Sequence, residues 1–249
     1  MNAIGIIGYH HSGKTTLAAA LINRLSQQGF LVASIKDIHN QDYRADQEGS
    51  NTWRHAQAGA TQVFARGLQD AALILSPPPD LPGMLRLLSA DWLIIEGLKT
   101  AAVPKIVCAN DTAQADELID DTVFALCGRI ASGLSSYRGL PVFDSLGDVS
   151  ELLSLVQQKS FAILPQSEPE CCSACGKTCY QMAADMVQGR ANRSDCVLDS
   201  QNTLTLLQNG QAVTIVPFVQ NLLRDIIMAF VGNLKGTAPE GGIEIKIRG

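Results

Sequence analysis

Residues 8–15 of the chain read Gly8-Tyr9-His10-His11-Ser12-Gly13-Lys14-Thr15, and this stretch decides the fold. It matches the phosphate-loop pattern Gly-x-x-x-x-Gly-Lys-Ser/Thr at every fixed position. The apolar run at residues 4–7 in front of it predicts a buried strand. Behind it, Leu17, Leu21 and Leu25 recur at the spacing of one helix face. A strand, this loop and then a helix form the context in which the pattern binds phosphate.

The residue types of the loop suit the chemistry of phosphate binding. Glycines allow a tight turn in which successive backbone N–H groups point inward, and the helix that follows adds the positive end of its dipole. The lysine of the pattern reaches the β- and γ-phosphates, and the hydroxyl after it ligates Mg²⁺. The two histidines at variable positions are more simply explained as solvated loop residues than as catalytic groups. We predict nucleotide contacts from Gly8, His11, Ser12, Gly13, Lys14, Thr15 and Thr16.

Carboxylates that could complete the magnesium site lie at three places. Glu96 ends the apolar strand 91–96, where P-loop proteins place a carboxylate that touches Mg²⁺ or polarises the attacking water. Asp37 and Asp46 follow the second strand in a polar stretch, where solvated carboxylates are also common. We predict Glu96 and Asp46 as catalytic residues, and Thr15, Asp37 and Glu96 as magnesium ligands. The chain has no Asn-Lys-x-Asp guanine motif, so these residues do not reveal the preferred base.

The distribution of strand and helix patterns predicts an α/β fold with a second, smaller module. Strands alternate with helices over residues 1–160, which favours right-handed crossovers and a mainly parallel sheet. The predicted elements include a helix at residues 81–88 and a strand at residues 103–109. Residues 161–170 contain Pro165 and Pro169 and are interpreted as a linker. Residues 171–249 are predicted to form a small α+β module. Its predicted elements are a helix at residues 180–188, a hairpin with its turn at residues 209–210, a helix that begins at Pro217, and an edge strand at residues 243–247. These ranges give a P-loop nucleotide-binding domain followed by a four-cysteine domain.

The composition excludes several classes of protein. Of the 249 residues, 46% are hydrophobic and 17% are charged, as in a globular protein with a sizeable core. A formal net charge of −5 argues against general nucleic-acid binding. Met1 leads directly into the first strand pattern, which predicts no signal peptide, and no apolar stretch is long enough for a membrane span. We therefore expect a cytoplasmic protein, in which a content of seven cysteines indicates metal or cluster chemistry rather than disulfides.

Four cysteines have the spacing of a metal site: Cys172-x2-Cys175-x3-Cys179-x16-Cys196. Clustered thiolates are soft ligands for Zn²⁺ or an iron–sulfur cluster. Zinc sites more often use two Cys-x2-Cys pairs, so a triplet with one remote cysteine favours [4Fe–4S], with Zn²⁺ or no metal as alternatives. Cys171 is an adjacent spare that could replace Cys172. This stretch also resembles a small four-cysteine iron–sulfur domain found in some electron-transfer and corrinoid proteins.

Two further cysteines lie outside this pattern. Cys108 and Cys127 belong to apolar strand patterns. Both are most simply interpreted as buried core thiols.

The first 160 residues resemble the molybdopterin-guanine dinucleotide biosynthesis protein B (MobB) family. The P-loop is shared by many families, whereas the segments behind it are more specific. In chain order these are Ile35-Lys36, His39, Asp46-x-x-Gly49, Ala58-Gly59-Ala60, Ile95-Glu96-Gly97-Leu98-Lys99 and Pro104-Lys105-Ile106.

The resemblance implies a GTP-binding protein with weak GTPase activity. Such a protein assists the enzyme that attaches GMP to the molybdenum pterin, and molybdoenzyme apoproteins and a second copy of the chain are further possible partners. The chain departs from the family where His usually stands at Asp37, and at residues 49–52, where the family usually has Gly-Lys-Asp-Ser. These departures concern the nucleotide response more than nucleotide binding.

Two alternatives use the same loop. A small-molecule kinase should carry a lid with several arginines, and only Arg129 and Arg138 lie in a suitable segment. A metal- or cluster-delivery NTPase is the other alternative. A histidine-rich metal store would favour it, but the chain has four histidines.

Overall fold

A computed structural model describes residues 1–145, 147–167, 172, 175–196, 204, 206–208, 211–213 and 217–234. The strands in these ranges are β1 (Asn2–Gly8), β2 (Val32–Lys36), β3 (Gln62–Arg66), β4 (Ala71–Leu75), β5 (Trp92–Glu96), β6 (Lys105–Cys108), β7 (Val123–Cys127), β8 (Ser136–Tyr137), β9 (Leu140–Phe143), β10 (Phe161–Ala162), β11 (Leu206–Gln208) and β12 (Gln211–Val213). The α-helices are α1 (Lys14–Gln27), α2 (Asn51–Gln57), α3 (Leu81–Leu85), α4 (Thr112–Asp116), α5 (Ser150–Lys159), α6 (Cys179–Val187) and α7 (Pro217–Gly232).

The main sheet is mostly parallel, which confirms the predicted fold class. Its strand order is β2-β5-β1-β6-β7-β9-β8, with β10 paired to the start of β1. The strands from β2 to β9 in this order run parallel, whereas β8 and β10 are antiparallel to their neighbours. β3 and β4 form a separate antiparallel hairpin. The carboxyl ends of β2, β5 and β1 therefore lie side by side, where ligands of such sheets bind.

The two faces of the sheet are buried by different layers. Ile4 and Ile6 of β1 point toward α1 and α5, and Ile7 points toward the cluster on the opposite face. The predicted helix face is confirmed, because Leu17 and Leu21 are fully buried in the same cluster as Ile4. Each such leucine contributes on the order of 1.5–3 kcal/mol relative to an exposed position. The sheet and α1 thus form the rigid base from which the P-loop projects.

Some element boundaries differ from the sequence prediction. The pattern at residues 81–88 predicted a longer helix, but α3 ends at Leu85. The backbone N–H groups of Leu87 and Leu88 bond instead to the carbonyl oxygens of Met84 and Leu85, in turns of the i→i−3 type. The pattern at residues 103–109 predicted a longer strand, but β6 begins after Pro104, which has no N–H to donate.

The predicted linker at residues 161–170 is described as far as Ser167 and packs against the first domain. Phe161 and Ala162 of β10 pair with Ala3 and Asn2 of β1. Leu164 is fully buried in a cluster with residues of α6. Because a two-residue strand is too short to show an alternating pattern, the sequence did not reveal β10.

The cysteine module contains the predicted helix after the third cysteine. Thr178 caps α6 through a capping box with Gln181, and Gly189 follows the helix with φ +72°. The predicted hairpin is present as β11 and β12, while its turn at residues 209–210 and the predicted strand at residues 243–247 lie outside the described ranges. The predicted helix α7 begins at Pro217. No helix in the described ranges is both long and apolar enough to cross a bilayer.

A buried lysine joins the module to the main sheet. The Nζ atom of Lys105 donates to the Tyr180 hydroxyl at 2.7 Å, and that hydroxyl donates to Asp120 Oδ2 at 2.5 Å. Lys105 is fully buried. Burial lowers the pKa of Lys105 to about 8, although the nearby Asp120 carboxylate acts to raise it. Burial, followed by the hydrogen bond to Asp120, raises the pKa of Tyr180 to about 12.

The lowered pKa of Lys105 predicts a pH-dependent contribution to stability. The unfolded chain holds more protons at this lysine than the folded chain between pH 8 and about 10.5, so the free energy of unfolding rises with pH there. Relative to Lys105→Met, we expect the parent to gain roughly 2 kcal/mol between pH 8 and pH 10. Chemical denaturation across this range measures the difference. Parallel pH profiles for the two proteins would contradict the prediction.

Candidate nucleotide-binding site

The P-loop has the backbone that its glycines allow. A Cβ atom on Gly8 would lie 2.2 Å from the carbonyl oxygen of Cys108, so only glycine fits there. Gly13 precedes α1 with φ +95°, a conformation that favours glycine. The buried Ser12 closes the turn by donating from Oγ to the carbonyl oxygen of Tyr9 at 2.8 Å.

A carboxylate, a hydroxyl and an ammonium group meet where the loop joins the sheet. The Thr15 hydroxyl donates to Glu96 Oε1 at 2.7 Å. Lys36 Nζ lies 3.1 Å from the same carboxylate oxygen and 3.1 Å from the Thr15 hydroxyl. The register explains this arrangement, since Lys36 at the end of β2 pairs with Glu96 at the end of β5. A hydroxyl and a carboxylate are oxygen donors of the kind that Mg²⁺ prefers, so these side chains fit that ion.

The lysine of the loop is partly withdrawn from water. Lys14 Nζ donates to the carbonyl oxygen of Tyr9 at 2.5 Å. Burial lowers the pKa of Lys14 and the positive charges of Lys36 and Lys99 lower it further, whereas Cys108 and Glu96 oppose the shift. A phosphate group would relieve this crowding of positive charge.

The two aspartates predicted near the metal lie in different places. Asp37 borders the cavity, and its Oδ2 atom lies 3.0 Å from His39 Nε2. Asp46 is not among the cavity-lining residues; its Oδ1 atom accepts from the Gln47 backbone N–H at 2.8 Å and from the Ser50 hydroxyl at 3.0 Å. Hydrogen bonds from Thr52 and Ser50 lower the pKa of Asp46. The structure therefore brings Asp37 to the loop and leaves Asp46 in the turn before α2, where its catalytic role stays a prediction.

These groups surround one cavity of about 700 Å³. All the predicted site residues of the first domain except Asp46 line it. Its lining also includes Lys36, Lys99 and Arg129, which the sequence reasoning did not assign to the site. Lys36 and Lys99 belong to the segments that resemble the family. Their positions, at the end of β2 and three residues after the end of β5, could have identified them. Four cationic side chains and the two carboxylates of Asp37 and Glu96 give the cavity a positive balance within a chain of net charge −5.

The four cysteines of the predicted metal site pack in one cluster. Cys196 is buried with Leu164 and Met182, and Cys172, Cys175 and Cys179 lie against that cluster. Burial raises the pKa of the Cys179 thiol, and the nearby Cys196 and Cys172 raise it further, against backbone hydrogen bonds that lower it. Thiolates are the type of ligand that a soft metal ion prefers. In the part of the chain that the structure describes, no three His, Cys, Asp or Glu side chains are arranged to hold a metal ion.

The two other described cysteines lie in the main sheet. Cys108 and Cys127 are fully buried and paired in register between β6 and β7, which confirms the prediction of core thiols.

A P-loop between a buried strand and a helix, with a glutamate at the end of the adjacent strand, defines a P-loop nucleotide-binding protein. The particular family follows from comparison with known proteins. The family described as molybdopterin guanine dinucleotide synthesis protein B, MobB, matches residues 3–128. The chain belongs to this family.

Individual relatives extend the similarity. The putative molybdopterin-guanine dinucleotide biosynthesis adapter protein of Methanocaldococcus jannaschii is 29% identical over 254 residues, covering 99% of this chain and 97% of that protein. The probable molybdopterin-guanine dinucleotide biosynthesis adapter protein of Bacillus subtilis is 29% identical over 160 residues, covering 63% of this chain and 92% of that protein. The crystal structure of Bacillus subtilis MobB matches with a TM-score of 0.55 and 26% identity, covering 64% of this chain and 97% of that one. The archaeal protein is thus similar along nearly the whole chain, including the region of the cysteine module.

Proposed function

We propose that the protein is a GTP-binding adapter with slow GTPase activity in the assembly of the molybdopterin guanine dinucleotide cofactor. The observation that carries this proposal is the cavity in which Lys14, Thr15 and Glu96 meet beside an excess of positive charge. That charge balance suits a nucleoside triphosphate with its magnesium ion. The relatives named as adapter proteins of molybdopterin-guanine dinucleotide biosynthesis support the place of the nucleotide in that process.

Each group in the cavity has a part in this proposal. The backbone N–H groups of the P-loop and the Lys14 ammonium hold the β- and γ-phosphates. Thr15 and Glu96 would hold Mg²⁺, with Asp37 at the edge of the site, and the ion supplies charge neutralisation between the phosphates when bound. Glu96 also orients the attacking water. The Lys36 ammonium lies 3.1 Å from the Glu96 carboxylate and holds it in position by an ion pair.

Titration calorimetry tests the nucleotide part of the proposal. We expect binding of GTP that requires Mg²⁺ and that is tighter than binding of ATP. Addition of a chelator should weaken the binding. Equal affinity for both nucleotides would remove the guanine preference, and no binding of either would reject the nucleotide-binding function.

Replacing Glu96 by glutamine should separate binding from hydrolysis. The amide keeps the shape of the side chain but removes the charge that orients water or metal, so we expect GTP binding to survive and phosphate release to fall at least tenfold. Single-turnover phosphate release measures the rate. Glu48→Gln, which changes an exposed carboxylate outside the cavity, is the matched control and should retain the parental rate. If Glu96→Gln hydrolyses GTP at the parental rate, Glu96 has no catalytic role and is only the last residue of a strand.

The cysteine module is proposed to hold a [4Fe–4S] cluster, with Zn²⁺ as the alternative metal. The spacing of Cys172, Cys175, Cys179 and Cys196 supports this proposal. All four border the same hydrophobic cluster, although in the described residues they are not arranged as a metal site. A small module has a limited core of its own, so a metal centre would add stability.

The proposed partners follow from the adapter role. They are the enzyme that attaches GMP to the molybdenum pterin, molybdoenzyme apoproteins, and a second copy of the chain in a homodimer. The proposed location is the cytoplasm, without a nucleic-acid or membrane partner. Co-purification with the GMP-attaching enzyme in the presence of GTP or GDP, together with light scattering of the protein alone, tests these associations.

A further inference from the structure

Lys99 has a position that differs from those of the other cations in the cavity. It follows the end of β5 by three residues, is exposed, and lines the cavity. Its Nζ atom lies 5.2 Å from the centre of the Tyr9 ring, a distance at which an ammonium group is attracted to an aromatic face. Tyr9 is fixed in turn, since its hydroxyl donates to the Glu117 carboxylate. Lys99 therefore rests on the second residue of the P-loop.

The neighbouring lysines are held more firmly. Lys14 donates to a backbone carbonyl of the loop, and Lys36 is paired with Glu96. In the described ranges, Lys99 has no carboxylate within ion-pair distance, and its contact with the ring is an exposed one worth on the order of 0.5–1 kcal/mol. Its ammonium group can therefore leave the ring for a stronger, anionic partner.

The geometry identifies which phosphate lies within reach. Thr15 and Glu96 would hold the magnesium ion, which accompanies the terminal phosphates of a nucleoside triphosphate. A terminal phosphate would consequently lie on the Glu96 side of the loop. Lys99 is attached to the same strand end as Glu96 and projects over Tyr9 at the beginning of the loop.

We propose that Lys99 moves from the Tyr9 ring onto the terminal phosphate of the bound nucleotide and so makes the site prefer a triphosphate over a diphosphate. This inference rests on the proposed nucleotide binding and identifies Lys99 as the group that recognises the third phosphate. With a diphosphate bound, Lys99 stays on the ring. The difference gives an adapter protein two distinct states of its cavity, one for each nucleotide.

Calorimetric titration of Lys99→Gln with GTP and with GDP, each with Mg²⁺, tests the proposal. We expect the affinity for GTP to fall on the order of tenfold, because a charge-assisted contact is lost, while the affinity for GDP stays unchanged. Lys99→Arg should recover most of the GTP affinity. Lys177→Gln, which removes a surface lysine paired with Asp185 in the cysteine module, is the matched control and should bind as the parent does.

The outcomes separate this inference from the proposed function. An equal loss for GTP and GDP would show a general electrostatic or structural role and overturn the assignment, as would unchanged GTP affinity. A parent protein that binds neither nucleotide would reject the proposed function and this inference together. A parent that binds both, with Lys99→Gln impaired for GTP alone, supports both.

Discussion

Replacing Lys14 by alanine is expected to lower the affinity for GTP with Mg²⁺ on the order of a hundredfold. The substitution removes the ammonium group proposed to reach the β- and γ-phosphates, and two charge-assisted contacts together correspond to about 3 kcal/mol. Burial lowers the pKa of Lys14, and the positive charges of Lys36 and Lys99 lower it further. The nucleotide-free site is therefore crowded with positive charge, which a phosphate group would relieve. Titration calorimetry on parent and variant measures the loss.

A control on the same helix separates this effect from a change in overall charge. Arg24 lies on α1 outside the cavity, where it forms an exposed ion pair with Asp148 at 3.6 Å. Arg24→Ala removes one positive charge and should retain parental affinity, because exposed pairs contribute little. Thermal unfolding of both variants checks that each is folded. Equal GTP affinity in Lys14→Ala and the parent would remove Lys14 from the site.

Replacing Cys175 or Cys179 by serine is expected to abolish the metal binding proposed for the C-terminal module. A serine hydroxyl is a harder and far less acidic ligand than a thiol, so we expect it to bind the iron of a cluster much more weakly than a thiolate does. With a [4Fe–4S] cluster, the parent purified anaerobically should be brown and bleach in air, and each variant should be colourless. Iron, zinc and sulfide analysis gives the stoichiometry. GTP binding should persist in both variants, since the P-loop is built on the core of the main sheet.

Cys108→Ser is the control for this experiment. Cys108 is buried in β6, outside the cluster that contains Cys196, so its replacement should leave the colour unchanged. One zinc per chain without iron, in protein made under anaerobic, iron-replete conditions, would reject the iron–sulfur cluster. It would leave a structural zinc module in its place.

Local patterns were sufficient for most of the main sheet and its first helix. The leucines of α1 and the apolar runs of β1 and β5 are long, periodic and buried, so the burial they predict matches the burial observed. Prediction failed where elements are short. β10 has two residues and α4 has five, lengths at which neither period can be recognised, and the C-terminal part of the helix predicted at residues 81–88 forms turns instead.

The candidate site likewise has one part that the sequence predicts and another that only the fold reveals. Gly8, Gly13, Lys14 and Thr15 form a contiguous motif whose spacing reflects the geometry of a phosphate, so the sequence identified them directly. Asp37 and Asp46 had equal claims in the sequence, and only the fold distinguishes them. β2 carries Asp37 to the cavity, while hydrogen bonds at the start of α2 hold Asp46 elsewhere.

The sequence by itself determined that this chain has a P-loop on a mainly parallel sheet, with a glutamate at a strand end and a cysteine-rich region behind it. These features depend on neighbouring residues, whose spacing is visible along the chain. Only the tertiary structure decided that Lys36 pairs with Glu96, that Lys99 rests on Tyr9, and that Tyr180 covers the buried Lys105. The partners in each pair are separated by 60 to 90 residues, and strand order and register bring them together.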